Sequence, residues 1–495
     1  MIKPSFLAID LGAESGRAIL GHIDDHLVLD EVHRFPNGPV RVGDHIHWDV
    51  LRLWSEIQNG LRIASDHSAG SLAGMGLDTW GVDFGLLDSS ERLIGNPYHY
   101  RDSRTNGMIE SVCRIVPREK IYDQTGIQFM QLNTLFQLFA MRQENDPALQ
   151  NARVFLTMPD LFNFWLTGRK ANEFTISTTT QCYDSRKKEW ALELLAALDI
   201  PQSIFQPVIQ PGIALEQLRR SVAEETSCAR IPVVAVGCHD TASAVAAVPA
   251  EDADFIYISS GTWSLIGIES DEPIIDARSL SCNLTNEGGV CNKIRFLKNI
   301  MGMWLLQESR REWAKAGKNY SYDDLTSLAT QAPPLKSLIF VGDDRFLLPG
   351  NMVQRIKEFC RETNQPVPQT DGEVVRCILE SLALEYRWNT MKLRELSGRS
   401  LPVIHIIGGG SRNCLLNQFT ADVTGCMVMA GPVEATAIGN IVMQAIALGY
   451  LPSLAEARAL VRRSFDVSSY QPGNTSLWDE AYIRYFKLRK QEKLK

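Results

Sequence analysis

The sequence predicts an α/β protein built from two duplicated domains, and three observations carry that reading. First, an apolar strand, a tip of glycine and hydroxyl residues, and a second apolar strand occur twice. Strands 6–10 and 18–23 flank the tip 11–17, and strands 255–259 and 265–269 flank the tip 260–264. Second, the short β-branched or aliphatic runs 71–77, 231–236 and 403–407 each end at a glycine or polar corner, the pattern of buried strands ending at a sheet edge. Third, 495 residues suffice for two large domains, since domains run to about 100–250 residues. A composition shift at Pro249-Ala250-Glu251-Asp252-Ala253-Asp254 divides the chain into an N-terminal domain, 1–248, and a C-terminal domain, 249–495. Repetition at this scale predicts two copies facing each other across a cleft.

Composition narrows the function classes. The chain is 45% hydrophobic and 22% charged, with net charge −8 and scattered basic residues. That balance points away from nucleic acid and anionic membranes as partners. No stretch reaches the ~18 apolar residues of a membrane helix, and Asp10 interrupts the only early apolar run. The ten cysteines include no Cys-x-x-Cys pair, so the expectation is a reduced, cytoplasmic protein without a zinc site. Cys360 and Cys377 flank a proline-containing connection and are the one pair worth testing for proximity.

The stretch around which the chain is organised is Gly237-Cys238-His239-Asp240-Thr241-Ala242-Ser243-Ala244-Val245. It follows strand 231–236 and opens a small-residue helix, which sets Asp240 at a strand-to-helix corner. Such a carboxylate can face a cleft at the carboxyl end of a sheet; equally, Asp240 or Thr241 can be a plain helix N-cap. The first hairpin tip, Ala13-Glu14-Ser15-Gly16-Arg17, offers backbone N–H groups to an anion, or is a glycine-rich turn and nothing more. It lacks the Gly-Lys-Ser/Thr ending of a Walker loop. Asp10, at the strand end beside it, can hold Mg²⁺ through water.

Asp78-Thr79-Trp80-Gly81-Val82-Asp83 ends the next strand. An aromatic ring, a glycine and two carboxylates suit a polyol, with the ring on C–H faces and the acids on hydroxyls. The alternative is a core Trp80 with solvated acids. Residues 109–168 read as helices broken at Pro117, Pro147 and Pro159, and the Ser/Thr-rich 172–182 as a solvated loop in preference to a polar cleft lined by the hydroxyls of Ser177-Thr178-Thr179-Thr180. A helix over 298–316 carries Asn299 and Gln307. Gly408-Gly409-Gly410 follows strand 403–407 and lets a flat ligand lie on the backbone, whereas the small, apolar 434–448 reads as packing without chemistry.

Taken in order, these stretches resemble the FGGY carbohydrate kinases of the actin-like ATPase superfold. The resemblance rests on Asp10-Leu11-Gly12-Ala13, Asp78-Thr79-Trp80-Gly81-Val82-Asp83, Tyr100-Arg101-Asp102-Ser103-Arg104 and Gly126-Ile127-Gln128-Phe129. It continues through His239-Asp240-Thr241, Ser259-Ser260-Gly261-Thr262-Trp263-Ser264, Asn286-Glu287-Gly288-Gly289 and Gly408-Gly409-Gly410, nearly the full length. Glu14 departs from the small residue favoured in the family's phosphate loop. The resemblance implies two RNase H-like domains, each a mixed sheet flanked by helices, with the active site between them. It implies transfer of the γ-phosphoryl group of ATP, with Mg²⁺, to the primary hydroxyl of a ketose, L-rhamnulose first and L-fuculose or L-xylulose as alternatives. A sensor that binds sugar and ATP without turnover is the more distant alternative, and a monomer or homodimer is expected. By the same resemblance Asp240 is the base and Asp10 holds the metal. Ala13, Glu14, Ser15, Gly16, Arg17, Thr262, Gln307 and Gly409 contact the nucleotide, and Gly81, Asp83, His239, Thr241 and Asn299 the sugar.

Overall fold

The computed structural model describes residues 4–68, 71–473 and 475–492. The chain forms two compact units, one of Met1–Glu251, Glu269–Phe296 and Glu434–Phe465, the other of Asp252–Ile268, Leu297–Val433 and Asp466–Lys495.

The first unit is organised on a six-stranded sheet in the order Ile213–Gln217, Pro232–Ala235, Leu72–Thr79, Ser5–Leu11, Ser15–Ile23, Leu27–Pro36. The three central strands are parallel and the outer ones antiparallel. All seven residues of Ser5–Leu11 are buried, as expected of a strand covered by helices on both faces. On one face lies the Val50–His67 helix, N-capped by Asp49, which buries Val50, Leu53, Ile57 and Leu61. These join Leu7, Ile9, Leu77 and Val233 in one core. Parallel strands put all their carboxyl ends on the same edge, and that edge carries the polar residues.

In the second unit, the neighbouring strands Trp263–Ser270, Phe255–Ser260, Val403–Ile407, Met427–Ala430 and Ser468–Tyr470 repeat the arrangement. An antiparallel hairpin lies beside parallel strands, and an antiparallel strand closes the edge. Both sheets are mixed and flanked by helices, so the predicted α/β duplication is realised. The long Asp371–Ser397 helix buries Val375, Leu379 and Leu382, and its Tyr386 hydroxyl bonds Ser264 Oγ at 2.6 Å.

The units do not follow the linear boundary. The expected split at 248/249 falls near the end of the first segment, but residues 269–296 and 434–465 return to the first unit. The Ala435–Ala447 helix shows why. It packs on the first unit's Asp240–Ala246 helix, where Gly439 stands so close that an added Cβ would lie 1.7 Å from Ser243 O. Its Gln444 donates to Leu7 O at 2.9 Å. Gly439→Ala should therefore destabilise the protein by about 1–3 kcal/mol or more, because a packed backbone must shift to admit the methyl. Urea denaturation measures it; an unchanged midpoint would mean that the two helices do not approach closely.

Two local expectations are corrected. Residues 298–301 belong to the strand Ile294–Met301, and the helix starts only at Trp304. Asn299 is therefore a strand residue and Gln307 lies in the first turn of the Trp304–Lys315 helix, because Gly302 separates a run rich in Ile and Phe from the helical stretch. Residues 172–182 are not a solvated loop. They include the Phe174–Thr179 helix and are buried throughout, since their hydroxyls bond local carbonyls: Thr179 Oγ1 donates to Ile176 O at 2.7 Å and Thr178 Oγ1 to Thr175 O at 3.0 Å.

Candidate active site

Three adjacent strand ends build the site in the first unit. Asp10 and Asp78 occupy one register position on neighbouring parallel strands, and Thr79 bridges to His239, with Thr79 N donating to Cys238 O at 2.9 Å. The Pro232–Ala235 strand thus delivers His239 and Asp240 beside Asp78 and Gly81. His239 is the backbone N-cap of the Asp240–Ala246 helix, so neither Asp240 nor Thr241 takes that place. Instead the Thr241 N–H and hydroxyl donate to Asp240 Oδ1 at 2.5 and 3.1 Å. His239 Nε2 stands 3.4 Å from the same oxygen. All of these contacts use Oδ1, and the side chain keeps 31% exposure, so Oδ2 is available to a hydroxyl. Burial raises the Asp240 pKa, His239 opposes the rise and the Asp10 charge adds to it.

Gly81 faces the same space. A Cβ built on it would lie 3.3 Å from Thr179 Oγ1 and 3.4 Å from His239 Nε2. A side chain would fill the room beside these two groups, which is where a small polyol can sit. Thr179, on the buried Phe174–Thr179 helix, belongs to the Ser177-Thr178-Thr179-Thr180 run, for which the sequence favoured a solvated loop over the cleft lining that the structure gives this residue. The same helix orients the Asp240 corner. The Glu173 carboxylate caps it through Thr175 N at 2.9 Å and Ile176 N at 3.2 Å, and also accepts from Cys238 N at 3.3 Å. Thr175 Oγ1 accepts from His239 N at 3.1 Å.

Glu173 and its neighbour Asp160 are fully enclosed, and burial raises their pKa values to about 8 and about 7, against hydrogen bonds that lower them. A raised folded-state pKa gives stability that is complete below the ordinary carboxylate range and is lost as pH climbs through 7 and 8. Glu173→Gln removes one of these titrations, so thermal melts should show the variant gaining on the parent between pH 6 and pH 9. A constant difference over that range would contradict the buried-acid reading.

Of the two readings open for Trp80 the core one holds, and Asp83 is corrected as a sugar contact. The Trp80 ring packs on Trp48 with centroids 3.9 Å apart and is 5% exposed. Asp83 is enclosed, and its oxygens accept from Trp48 Nε1 at 2.6 Å, Trp80 Nε1 at 3.0 Å, Gln137 Nε2 at 2.9 Å and Tyr100 N at 3.2 Å. Burial lifts its pKa to about 6 against these donors. The acid ties two indoles and a glutamine together beneath Gly81, and its own acceptor capacity is used inside the protein.

The first hairpin turns at Gly12-Ala13-Glu14, with Gly12 N on Ser15 O at 3.0 Å and Glu14 exposed. Gly16 is required by packing, since a Cβ there would lie 2.2 Å from the Phe35 ring. Arg17 points its guanidinium to Asp10 and Glu434. Burial lowers and these two charges raise its pKa, the net being upward. Arg17 therefore holds Asp10 in place. Glu434 opens the helix expected to carry no chemistry, and that expectation is corrected: Asn440 on the same helix donates to Asp78 Oδ2 at 2.6 Å. A polar pair four residues apart, Asn440 and Gln444, on an otherwise apolar helix was the available signal.

Asp78 Oδ1 is buried without a partner, and burial together with the Asp10 charge raises the Asp78 pKa well above the usual range. Among the described residues no group of three or more His, Cys, Asp or Glu forms a metal cage. A magnesium ion that arrives on phosphate oxygens and keeps its waters needs only one or two carboxylates. Asp10, with the unfilled Asp78 behind it, fits that demand.

In the second unit, Thr262 lies at the tip of the hairpin and its carbonyl accepts from Gly302 N and Trp304 N, each at 3.1 Å. Gln307 N donates to Met303 O at 2.8 Å, while Gln307 Oε1 is buried without a partner. Of the three glycines, Gly409 alone is exposed, with open space where a Cβ would stand; Gly410 is packed against Ser260. Cys360 and Cys377 are both buried free thiols. The Cys360 thiol beside Cys377, and then burial, hold the latter's pKa well above the usual thiol range.

Duplicated mixed sheets flanked by helices, the first with carboxylates at its strand ends, form a two-domain α/β framework, and comparison with known proteins gives its class. Residues 5–247 match the N-terminal domain of the FGGY family of carbohydrate kinases and residues 256–448 its C-terminal domain. The chain belongs to that family. A rhamnulokinase of Bacteroides thetaiotaomicron is 46% identical over 485 residues, 98% of this chain and 99% of its own. One of Oceanobacillus iheyensis is 42% identical over 465 residues, covering 94% of this chain and 97% of its own. Among solved structures, a ligand-bound xylulose kinase of Lactobacillus acidophilus superposes with TM-score 0.83 at 14% identity, covering 99% of this chain and 98% of its own. A Plasmodium falciparum glycerol kinase with ADP gives 0.77 at 16% identity, covering 99% and 97%.

Proposed function

We infer that this chain transfers the γ-phosphoryl group of ATP to the 1-hydroxyl of L-rhamnulose, giving L-rhamnulose 1-phosphate and ADP. The observation that carries the reading is near-complete alignment with curated rhamnulokinases at 41–46% identity, together with an Asp240 carboxylate open on one oxygen beside Gly81 and His239.

Asp240 Oδ2 takes the proton of the 1-hydroxyl as that oxygen bonds to the γ-phosphorus and the bond to the bridging β–γ oxygen breaks. Thr241 holds Oδ1, which fixes the carboxylate's plane, and the raised pKa brings the group nearer the pH at which a general base works well. His239 and Gly81 bound the sugar's space, with Asn299 a further sugar contact. Ala13, Glu14 and Ser15 are assigned to the phosphates through the hairpin turn, and Arg17 acts by holding Asp10. Thr262, Gln307 and Gly409 are assigned to the nucleotide, supported by the unpartnered Gln307 Oε1 and the open face of Gly409. Mg²⁺, held by Asp10 through water with Asp78 behind it, would neutralise charge on the phosphates.

No helix is long and apolar enough to cross a membrane among the described residues. We assign the enzyme to the cytoplasm as a monomer or homodimer, with ATP and sugar rather than nucleic acid or lipid as partners. A ketose panel with ATP and Mg²⁺, read as ADP release, tests the function. L-Rhamnulose should lead; a lead for glycerol or D-xylulose would keep the family and remove the substrate.

A further inference from the structure

His239 has two faces, and the structure shows what touches each. Nε2 lies 3.4 Å from Asp240 Oδ1 and borders the space above Gly81. Nδ1 is 2.9 Å from Arg295 Nη2 and 3.4 Å from Glu287 Oε2. Arg295 is fully buried, its Nε donates to Gly288 O at 2.7 Å, and its Nη2 also reaches Glu287 at 3.2 Å. Its Nη1 is buried with no partner. Enclosing a guanidinium carries a desolvation cost, which its pairing with Glu287 and Gly288 O offsets, and it also approaches one nitrogen of His239.

A guanidinium only donates. At 2.9 Å from Arg295, Nδ1 must accept, so the imidazole proton stands on Nε2. Glu287 alone would drive the opposite choice, because a carboxylate beside Nδ1 draws the proton there. Arg295 neutralises that carboxylate and takes the Nδ1 lone pair itself.

We propose that Arg295, balanced by Glu287, is a positioning residue that sets the tautomer of His239, so that Nε2–H is presented to Asp240 and to a hydroxyl of the sugar bound above Gly81. The sugar half of this statement rests on the kinase reading; the tautomer half does not. With the wrong tautomer, Nε2 would offer a lone pair toward the Asp240 carboxylate, two acceptors facing each other, and a sugar hydroxyl would lose its donor. A catalytic histidine held in the wrong tautomer is known to lose most of its effect.

The test is ¹⁵N NMR of the full chain labelled at histidine, with the His239 signal assigned by subtraction using His239→Gln. The parent protein without any ligand should show a protonated Nε2 and a bare Nδ1. Arg295→Met should move the proton to Nδ1, where it is donated to Glu287, and Arg295→Lys, which keeps a cationic donor, should move it back. In kinetics, Arg295→Met should lower kcat/KM for the sugar by about 10- to 100-fold, the usual effect of losing a group that orients a histidine, with the ATP KM unchanged. A parent spectrum with the proton on Nδ1 overturns the proposal even if neither Arg295 variant folds. A folded Arg295→Met that keeps Nε2–H, or that raises the ATP and sugar KM alike, does so too. Because the spectrum needs no substrate, it stands apart from the ketose panel, whose failure would change the sugar and leave the tautomer result intact.

Discussion

Replacing Asp240 by Asn should lower kcat by about 10²- to 10⁴-fold, the contribution of a positioned base, while both KM values stay near those of the parent. Asn keeps the size of the side chain, and its carbonyl can still accept from the Thr241 N–H and hydroxyl as Oδ1 does now at 2.5 and 3.1 Å. What it cannot do is take the hydroxyl proton on the second atom. Stability should move the other way. Burial and the nearby Asp10 charge raise the Asp240 pKa, so the ionised group destabilises the ligand-free fold as pH rises, and the neutral amide does not. In ligand-free melts at pH 8, the variant should melt at or above the parent's temperature, the trade-off expected where an active site holds like charges together. Steady-state kinetics and isothermal titration with the sugar separate the outcomes. Near-normal turnover in a folded variant would remove Asp240 from the base role.

The strand ends were legible in the sequence because short aliphatic runs bounded by glycine and polar residues have few other solutions. The runs 6–10, 231–236 and 403–407 lie in or overlap the strands Ser5–Leu11, Pro232–Ala235 and Val403–Ile407. With these strands came Asp10, Gly81, His239 and Asp240, which are local to the corners. The groups that support them were not legible, because they arrive from elsewhere in the chain: Arg295 from a later strand, Glu434 and Asn440 from the cap and body of a C-terminal helix, Glu173 from the cap of a helix between. Hydroxyl-rich composition read as solvation for 172–182, since composition does not reveal that Ser177, Thr178, Thr179 and Thr180 bond carbonyls within their own segment and Thr175 the Glu173 carboxylate. Trp80 stayed open between core and ligand, and Asp83 was placed on the sugar, for a related reason. A strand-end aromatic and acid look alike whether they face a ligand or each other, and only the position of Trp48 decides it.

Sugar selectivity should follow from this same geometry. The space above Gly81 is bounded by Thr179 Oγ1 and His239 Nε2, within 3.3–3.4 Å of an added Cβ, and His239 Nε2 in turn stands 3.4 Å from the Asp240 carboxylate. Each group has a fixed partner behind it: Thr179 Oγ1 donates to Ile176 O, Arg295 occupies His239 Nδ1, and Thr241 holds Asp240 Oδ1. None can turn far to follow a displaced hydroxyl. An epimer therefore leaves one buried partner unsatisfied, which costs about 1–3 kcal/mol, or roughly 10- to 100-fold in kcat/KM at about 1.4 kcal/mol per decade. L-Fuculose, which differs from L-rhamnulose at one hydroxyl-bearing centre, should trail it by about that factor, with the loss in kcat/KM for sugar and the ATP KM unchanged. Gly81→Ala should reduce the rate with both ketoses, because the methyl fills space they share. Equal kcat/KM for the two epimers would show that the fixed groups around Gly81 do not read that centre.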